Sequence, residues 1–141
     1  MNQDKQLQKK WGEESLEMGW VSFPSSLLFL QRRFELSAMG LNVLLHLIMH
    51  WWDAESPPYP SQESISKRIG VSKRTVQRAI TELEDIGLIE KETTFKEHPK
   101  YRGRNKYNLS PLVKILKQET PYVKSQIKYY QKESLPISRT E

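Results

Sequence analysis

A group of polar side chains between residues 73 and 81 has the chemistry of base recognition. Arginine and glutamine each carry two hydrogen-bonding groups side by side, so both can form paired hydrogen bonds with the edge of a purine base. The spacing of Val76, Ala79 and Leu83 predicts a helix with these three residues on its inner face. The side chains left on the outer face are Lys73, Arg74, Gln77, Arg78 and Thr81.

A second basic group lies between residues 96 and 106, around a glycine. Its members are Lys96, Lys100, Arg102, Arg104 and Lys106, with Tyr101 among them. Basic side chains on a flexible loop can contact the DNA backbone or enter a narrow minor groove. The alternative interpretation is a solvated hairpin without a ligand.

Catalytic and metal-binding arrangements are missing from the sequence. The chain has no cysteine, which excludes disulfides and thiolate zinc sites and favours a reducing, cytoplasmic compartment. His46 and His50 have a spacing that can bind a metal, but no third ligand accompanies them, and we interpret them as packed histidines. Because there is no phosphate-binding loop, Ser/His/Asp set or carboxylate pair, we expect no enzymatic activity, cofactor or metal.

The elements that must position these residues are two short helices joined by a tight turn. Ser61 is the predicted cap of a helix over residues 62–69, and Gly70 ends it. Ser72 is the predicted cap of the next helix, over residues 73–86, with Gly87 as its stop. The capping serine also presents a helix N-terminus that can bind a phosphate. Alternation over residues 88–94 predicts a strand, and residues 105–109 predict its partner, so a β-hairpin wing follows the second helix.

Flanking segments complete the predicted organisation. Short helices are expected over residues 25–33 and from Ser110 to Pro121, and the main core helix from Ser37 to about residue 52. The polar N-terminus lacks a secretory signal, and the longest apolar stretch is too short to cross a bilayer. The predicted divisions are a flexible arm (1–19), one domain (20–116, with the helix-turn-helix over 61–87 and the wing over 88–109) and a helical or disordered tail (117–141).

The segments 59–63, 70–78 and 83–89 together resemble the winged helix-turn-helix domains of bacterial, phage and plasmid regulators and replication-initiation proteins. They carry "YPSQE", "GVSKRTVQR" and "LEDIGLI" in the order and spacing of that family, and the resemblance covers about residues 20 to 116. Ser66 stands where the family usually has alanine. The resemblance implies that Ser72 to Arg78, Thr75 included, read DNA and that the loop before Asn105 touches the backbone or minor groove. We include Ser61 among the candidate contacts.

A net charge of +5 favours a polyanionic partner. The leading hypothesis is therefore sequence-specific binding of double-stranded DNA, by a transcription regulator or an origin-binding replication protein, with no membrane partner. The competing hypothesis is a winged domain used for protein–protein contact in a larger assembly. We expect a homodimer, because one recognition helix contacts only a few base pairs. Its predicted surface is the helix from Ser110 and the tail with Ile127, Tyr129 and Tyr130.

Four tryptophans and a group of tyrosines have two interpretations each. Tryptophans can stack on bases, but Trp51 and Trp52 follow an apolar helix and are expected in the core or at an interface. The tail places Tyr122, Tyr129 and Tyr130 among lysines. This pattern fits either an amphipathic helix for a partner subunit or the composition of an unstructured tail.

Overall fold

A computed structural model describes residues 3–133 of the chain, with side chains over residues 4–128. This part contains six helices and one two-stranded hairpin. The helices are α1 (Gln3–Trp11), α2 (Ser26–Phe29), α3 (Ala38–Met49), α4 (Gln62–Ile69), α5 (Lys73–Ile86) and α6 (Ser110–Glu133), and the strands are β1 (Glu90–Glu92) and β2 (Lys106–Asn108). The order confirms the predicted fold class, a mainly helical winged helix-turn-helix.

Helix α3 lies at the centre of the hydrophobic core. Ser37 caps it, accepting a hydrogen bond from the backbone N–H of Gly40 at 2.9 Å, as the sequence predicts. The helix ends at Met49 rather than near Trp52, because the chain turns there and Trp52 points into solvent, 83% exposed. Fully buried side chains in the core come from α2, α3, α4 and α5, from strand β2 and from the segments that flank the hairpin and α2; the largest are Leu27, Leu30, Leu44, Leu47, Ile65, Ile80, Leu83, Leu88, Tyr107 and Leu109.

Local capping sets the bounds of the helix-turn-helix. Ser61 accepts a hydrogen bond from the N–H of Ser64 at 3.0 Å, and Ser72 accepts one from Thr75 at 3.1 Å. Gly70 ends α4 with a φ of +86°, a left-handed conformation that glycine adopts without a steric cost. The predicted bounds of α4 and α5 are confirmed.

The hairpin is shorter than predicted, and its first strand does not begin at residue 88. Leu88 and Ile89 are both buried, so alternation starts only after them, and β1 covers three exposed residues. Strand β2 pairs antiparallel with β1, with Lys91 opposite Tyr107. The N–H of Tyr107 donates to the carbonyl of Pro58 at 3.0 Å. The proline-rich connector therefore lies on the free edge of the hairpin and ties it to the start of α4.

Helix α6 corrects the prediction that Pro121 ends the last helix. The proline lies inside α6, although it removes one backbone donor. Tertiary contacts hold the helix together across this position. Arg33 donates from Nε to Glu119 Oε1 at 2.6 Å, and its guanidinium lies 3.7 Å from the ring centroid of Tyr122. Buried side chains also lie on both sides of the proline, at Leu116 and Val123.

The N-terminal segment is helical in the structure, whereas the last residues of the chain lie outside the described part. Where a loose arm is predicted, α1 and a 3₁₀ turn over Glu14–Leu16 form, and no side chain from Asp4 to Gly19 is buried. Tyr129 and Tyr130 fall outside the described side chains, and residues 134–141 lie outside the described residues altogether. In the part of the chain that the structure describes, no helix is long and apolar enough to cross a membrane.

Candidate nucleic-acid interface

Helix α5 separates its apolar and polar residues onto opposite faces. Val76, Ala79, Ile80 and Leu83 are buried against the core. The opposite, exposed face carries Lys73, Arg74, Gln77, Arg78 and Thr81, as the sequence predicts. Thr75 differs from these: it is half-buried, and its hydroxyl lies 3.0 Å from that of Ser72, so both side chains serve the helix cap.

A carboxylate on the inner side of α5 fixes this helix against α3. Glu82 accepts hydrogen bonds from the backbone N–H and the hydroxyl of Ser37, each at 2.7 Å. A negative charge at the N-terminus of α3 is also favoured by the helix dipole. Gly40 makes the approach possible, because a Cβ there would lie 2.7 Å from Glu82 Oε1. Our sequence interpretation missed Glu82; the available signal was its position three residues after Ala79, on the buried side.

The wing loop is organised around two tyrosines, which we call the tyrosine pair, Tyr59 and Tyr101. Their rings meet edge to face, with centroids 4.9 Å apart. Lys100 Nζ lies 5.3 Å and Lys106 Nζ 5.0 Å from the Tyr101 centroid, and Arg104 Cζ lies 5.1 Å from that of Tyr59. These distances allow cation–π attraction, so the pair holds three of the wing cations in place. Tyr59 was not among the predicted site residues, because it lies in the connector, far from the wing in sequence.

The two arginines of the wing occupy different positions. Arg102 is exposed at the tip with a φ of +53°, followed by Gly103 at +80°. Arg104, which we expected on the same mobile tip, is half-buried and donates from Nε to the carbonyl of Tyr101 at 3.1 Å. Thr94 also donates to the Arg104 carbonyl, at 2.7 Å. Of these two arginines, Arg102 alone therefore extends freely from the wing.

A cleft between α4, α5 and the wing brings together residues from both predicted groups. Ser61, Lys73, Gln77 and Arg104 line this space of about 370 Å³. Tyr107 forms part of its wall, and burial raises the pKa of its phenol, which keeps the hydroxyl protonated. The remaining candidates lie outside the cleft: Ser72, Arg74, Thr75, Arg78 and Thr81 on α5 or its cap, and Lys100, Arg102 and Lys106 on the wing.

The basic side chains on the exposed face of α5 form no ion pairs with the described residues. Among residues 4–128, no carboxylate lies within 4.0 Å of the charged groups of Lys73, Arg74 or Arg78. On the wing, by contrast, Lys106 pairs with Glu92 at 3.3 Å. Unpaired cations on a rigid helix can bind a polyanion without first breaking an ion pair.

Histidines and one tryptophan lie close to the wing: the His98 and Tyr101 ring centroids are 4.7 Å apart, and His50 and Trp52 line a pocket together with Arg104. Burial and the nearby charge of Arg68 lower the pKa of His50, whose Nε2 is buried without a partner in the described structure. His46 Nδ1 lies 2.8 Å from the carbonyl oxygen of Asn42. Across the described residues, no three His, Cys, Asp or Glu side chains are grouped closely enough to hold a metal. Trp51 packs partly against the core, whereas Trp52 is exposed.

Three helices, a tight turn between the second and third, and a hairpin immediately afterwards define a winged helix-turn-helix domain. Residues 35–89 match a protein-family model described as "Helix-turn-helix domain", which covers α3, α4 and α5. This match confirms the helix-turn-helix that the sequence motifs indicate, over residues 35–89.

One solved structure with partial similarity is described as that of the transcriptional regulator PA3341. It is 20% identical, and the alignment covers 94% of this chain and 81% of that chain with a TM-score of 0.41. At that score the fold assignment rests on the element order and the family match. No curated protein sequence matches the chain significantly.

Proposed function

We propose that this protein binds double-stranded DNA in a sequence-specific manner, with α5 in the major groove and the wing against the flanking backbone. The observation that carries the proposal is the exposed face of α5, which presents two arginines, a lysine and a glutamine without ion-pair partners among the described residues. The inner face of the same helix is fixed by the core and by Glu82. A rigid helix with unpaired donors suits base recognition, because its backbone is already ordered and no ion pair has to be broken on binding.

Helix and wing would divide the work. Arg74, Gln77 and Arg78 are proposed to contact base edges, and Arg102 to contact phosphates or the minor groove. Arg104 belongs with the helix group in this proposal, because it shares the cleft with Gln77. The protein would act in the cytoplasm as a transcription regulator or as the origin-binding component of a replication system.

A salt titration of alanine variants tests this division. Binding of a selected site and of a random duplex is measured by fluorescence anisotropy from 50 to 300 mM salt. Arg78→Ala should lose about 1–3 kcal/mol on the selected site and much less on random DNA. Arg102→Ala should weaken both duplexes equally and reduce the salt slope by about 0.9. Lys9→Ala, an exposed charge on α1 that belongs to no proposed interface, is the matched control and should change neither.

Two results would contradict the proposal. If Arg74, Gln77 and Arg78 variants lose equal affinity for both duplexes, α5 does not read bases. If the protein binds no duplex at micromolar concentration and moderate salt, the domain serves protein–protein contact instead.

We also propose that the functional form is a homodimer, because two half-sites give the specificity that one helix lacks. The surface offered is the distal half of α6, where Ile127 is half-exposed and Tyr122 is 39% exposed. Analytical ultracentrifugation with and without saturating DNA tests the proposal; a monomer in both conditions contradicts it.

A further inference from the structure

A cavity of about 460 Å³ lies in a part of the molecule that the proposed DNA interface does not use. Residues 20–24 form one wall, the end of α3 and the turn after it form the second, and α6 forms the third. The floor is apolar, since Leu112 and Leu116 belong to the hydrophobic core. Small-molecule sites in proteins have volumes of about 300–1,000 Å³ and mostly apolar walls. The cavity therefore has the size and lining of a ligand site.

Four aromatic side chains line this cavity. Phe23 and Trp51 pack partly against the core, whereas Trp20 and Trp52 are 54% and 83% exposed. Two indoles exposed beside one apolar cavity leave a large area in water that a bound ring would cover. Flat aromatic faces pair best with another planar ring, in stacked or edge-to-face contact. The lining thus favours a planar aromatic ligand over a flexible aliphatic one.

One charged side chain accompanies these aromatic residues. Lys117 lines the cavity, and within residues 4–128 its ammonium makes no ion pair and lies over no ring. The hydroxyl of Thr120 donates to the Leu116 carbonyl at 2.6 Å, so its proton is already used. Lys117 is consequently the cationic donor available to a ligand, and an ammonium beside an apolar surface attracts a carboxylate.

We propose that this cavity binds a small planar aromatic carboxylate, with the ring against Trp20 and Trp52 and the carboxylate on Lys117. This binding is separate from DNA recognition, because no candidate DNA contact lines the cavity.

Calorimetric titration of the full chain without DNA tests the proposal with two probes, 1-naphthylacetate and its neutral amide. The carboxylate should bind about tenfold more tightly than the amide, a difference of about 1.4 kcal/mol. Lys117→Gln should abolish this preference, whereas Lys114→Gln, an exposed lysine on the same helix outside the cavity, should keep it. Trp52→Ala should weaken both probes about tenfold or more. Phe95→Ala, also an exposed aromatic residue but outside the cavity, should weaken neither.

Indole N–H resonances in a two-dimensional NMR titration report the location, and thermal melts confirm that each variant is folded. The signals of Trp20 and Trp52 should shift. The proposal is wrong if neither probe binds at millimolar concentration, or if Lys117→Gln retains the preference for the carboxylate. It is also wrong if the cavity is closed by a second copy, seen as a dimer that Trp52→Ala dissociates. All arms are measured without DNA, so none of these outcomes bears on the DNA-binding proposal.

Discussion

Replacing Glu82 by alanine should destabilise the domain although the residue lies on the helix that we propose reads DNA. The side chain accepts two hydrogen bonds at 2.7 Å from Ser37, and its negative charge interacts favourably with the positive end of the α3 dipole. Hydrogen bonds to charged groups contribute about 1.5–3 kcal/mol each, and the lower end suits this half-exposed site. We therefore expect Glu82→Ala to reduce the free energy of unfolding by about 3 kcal/mol, which lowers the melting temperature by about 10 °C.

Urea denaturation followed by circular dichroism measures this change. Asp85→Ala is the matched control, because Asp85 is an exposed acid on the same helix with no bonded partner among the described residues, and it should cost less than 0.5 kcal/mol. The double variant with Ser37→Ala should show a coupling energy of about 1 kcal/mol, because both substitutions remove the same hydroxyl–carboxylate bond. Equal losses for Glu82→Ala and Asp85→Ala would refute the reasoning.

Three further predictions concern other parts of the chain. Tyr101→Leu removes the ring beside Lys100 and Lys106, so DNA affinity should fall about threefold while the salt slope stays unchanged; a smaller slope would show that a phosphate contact is lost instead. Pro121→Ala restores a backbone donor inside α6 and should raise the stability by about 1 kcal/mol or more; a lower melting temperature would contradict this. Burial lowers the pKa of His50 in the folded protein below its ordinary value of 6.5. As the pH falls, His50 is therefore protonated in the unfolded chain before it is protonated in the folded one, and the stability should fall below about pH 6.5. Unfolding curves at pH 7.5 and 5.5 should show a smaller loss in His50→Gln than in the unchanged protein, and equal losses would exclude this residue.

The helix-turn-helix could be predicted residue by residue because its bounds depend on local chemistry. A serine cap contacts an N–H three residues away, and a glycine stop depends on its own φ, so neither needs the rest of the fold. The structure accordingly has the predicted caps at Ser61 and Ser72 and the predicted helix ends at Gly70 and Gly87. The outward face of α5 followed from the same periodicity.

The errors arose where distant residues decide the outcome. Pro121 is tolerated inside α6 because Arg33, far away in sequence, contacts residues on both sides of it. Arg104 is held in place by Tyr59 of the connector and not left mobile. Such contacts between separate elements leave no periodic pattern in the sequence.

Helix α6 continues without interruption from Ser110 to Glu133 and is packed against the helix-turn-helix domain. Its 24 residues extend about 36 Å at about 1.5 Å each, and its core contacts, such as Leu112 and Val123, fix its azimuth. A partner bound to the distal turns of α6 would therefore have a fixed orientation relative to α5. One residue inserted after Ile127 would rotate the following part of the helix by about 100° about its axis, while lengthening the helix by only about 1.5 Å. The direction in which the end of α6 faces around the helix axis, more than its distance from the core, would then decide how a partner bound there is oriented.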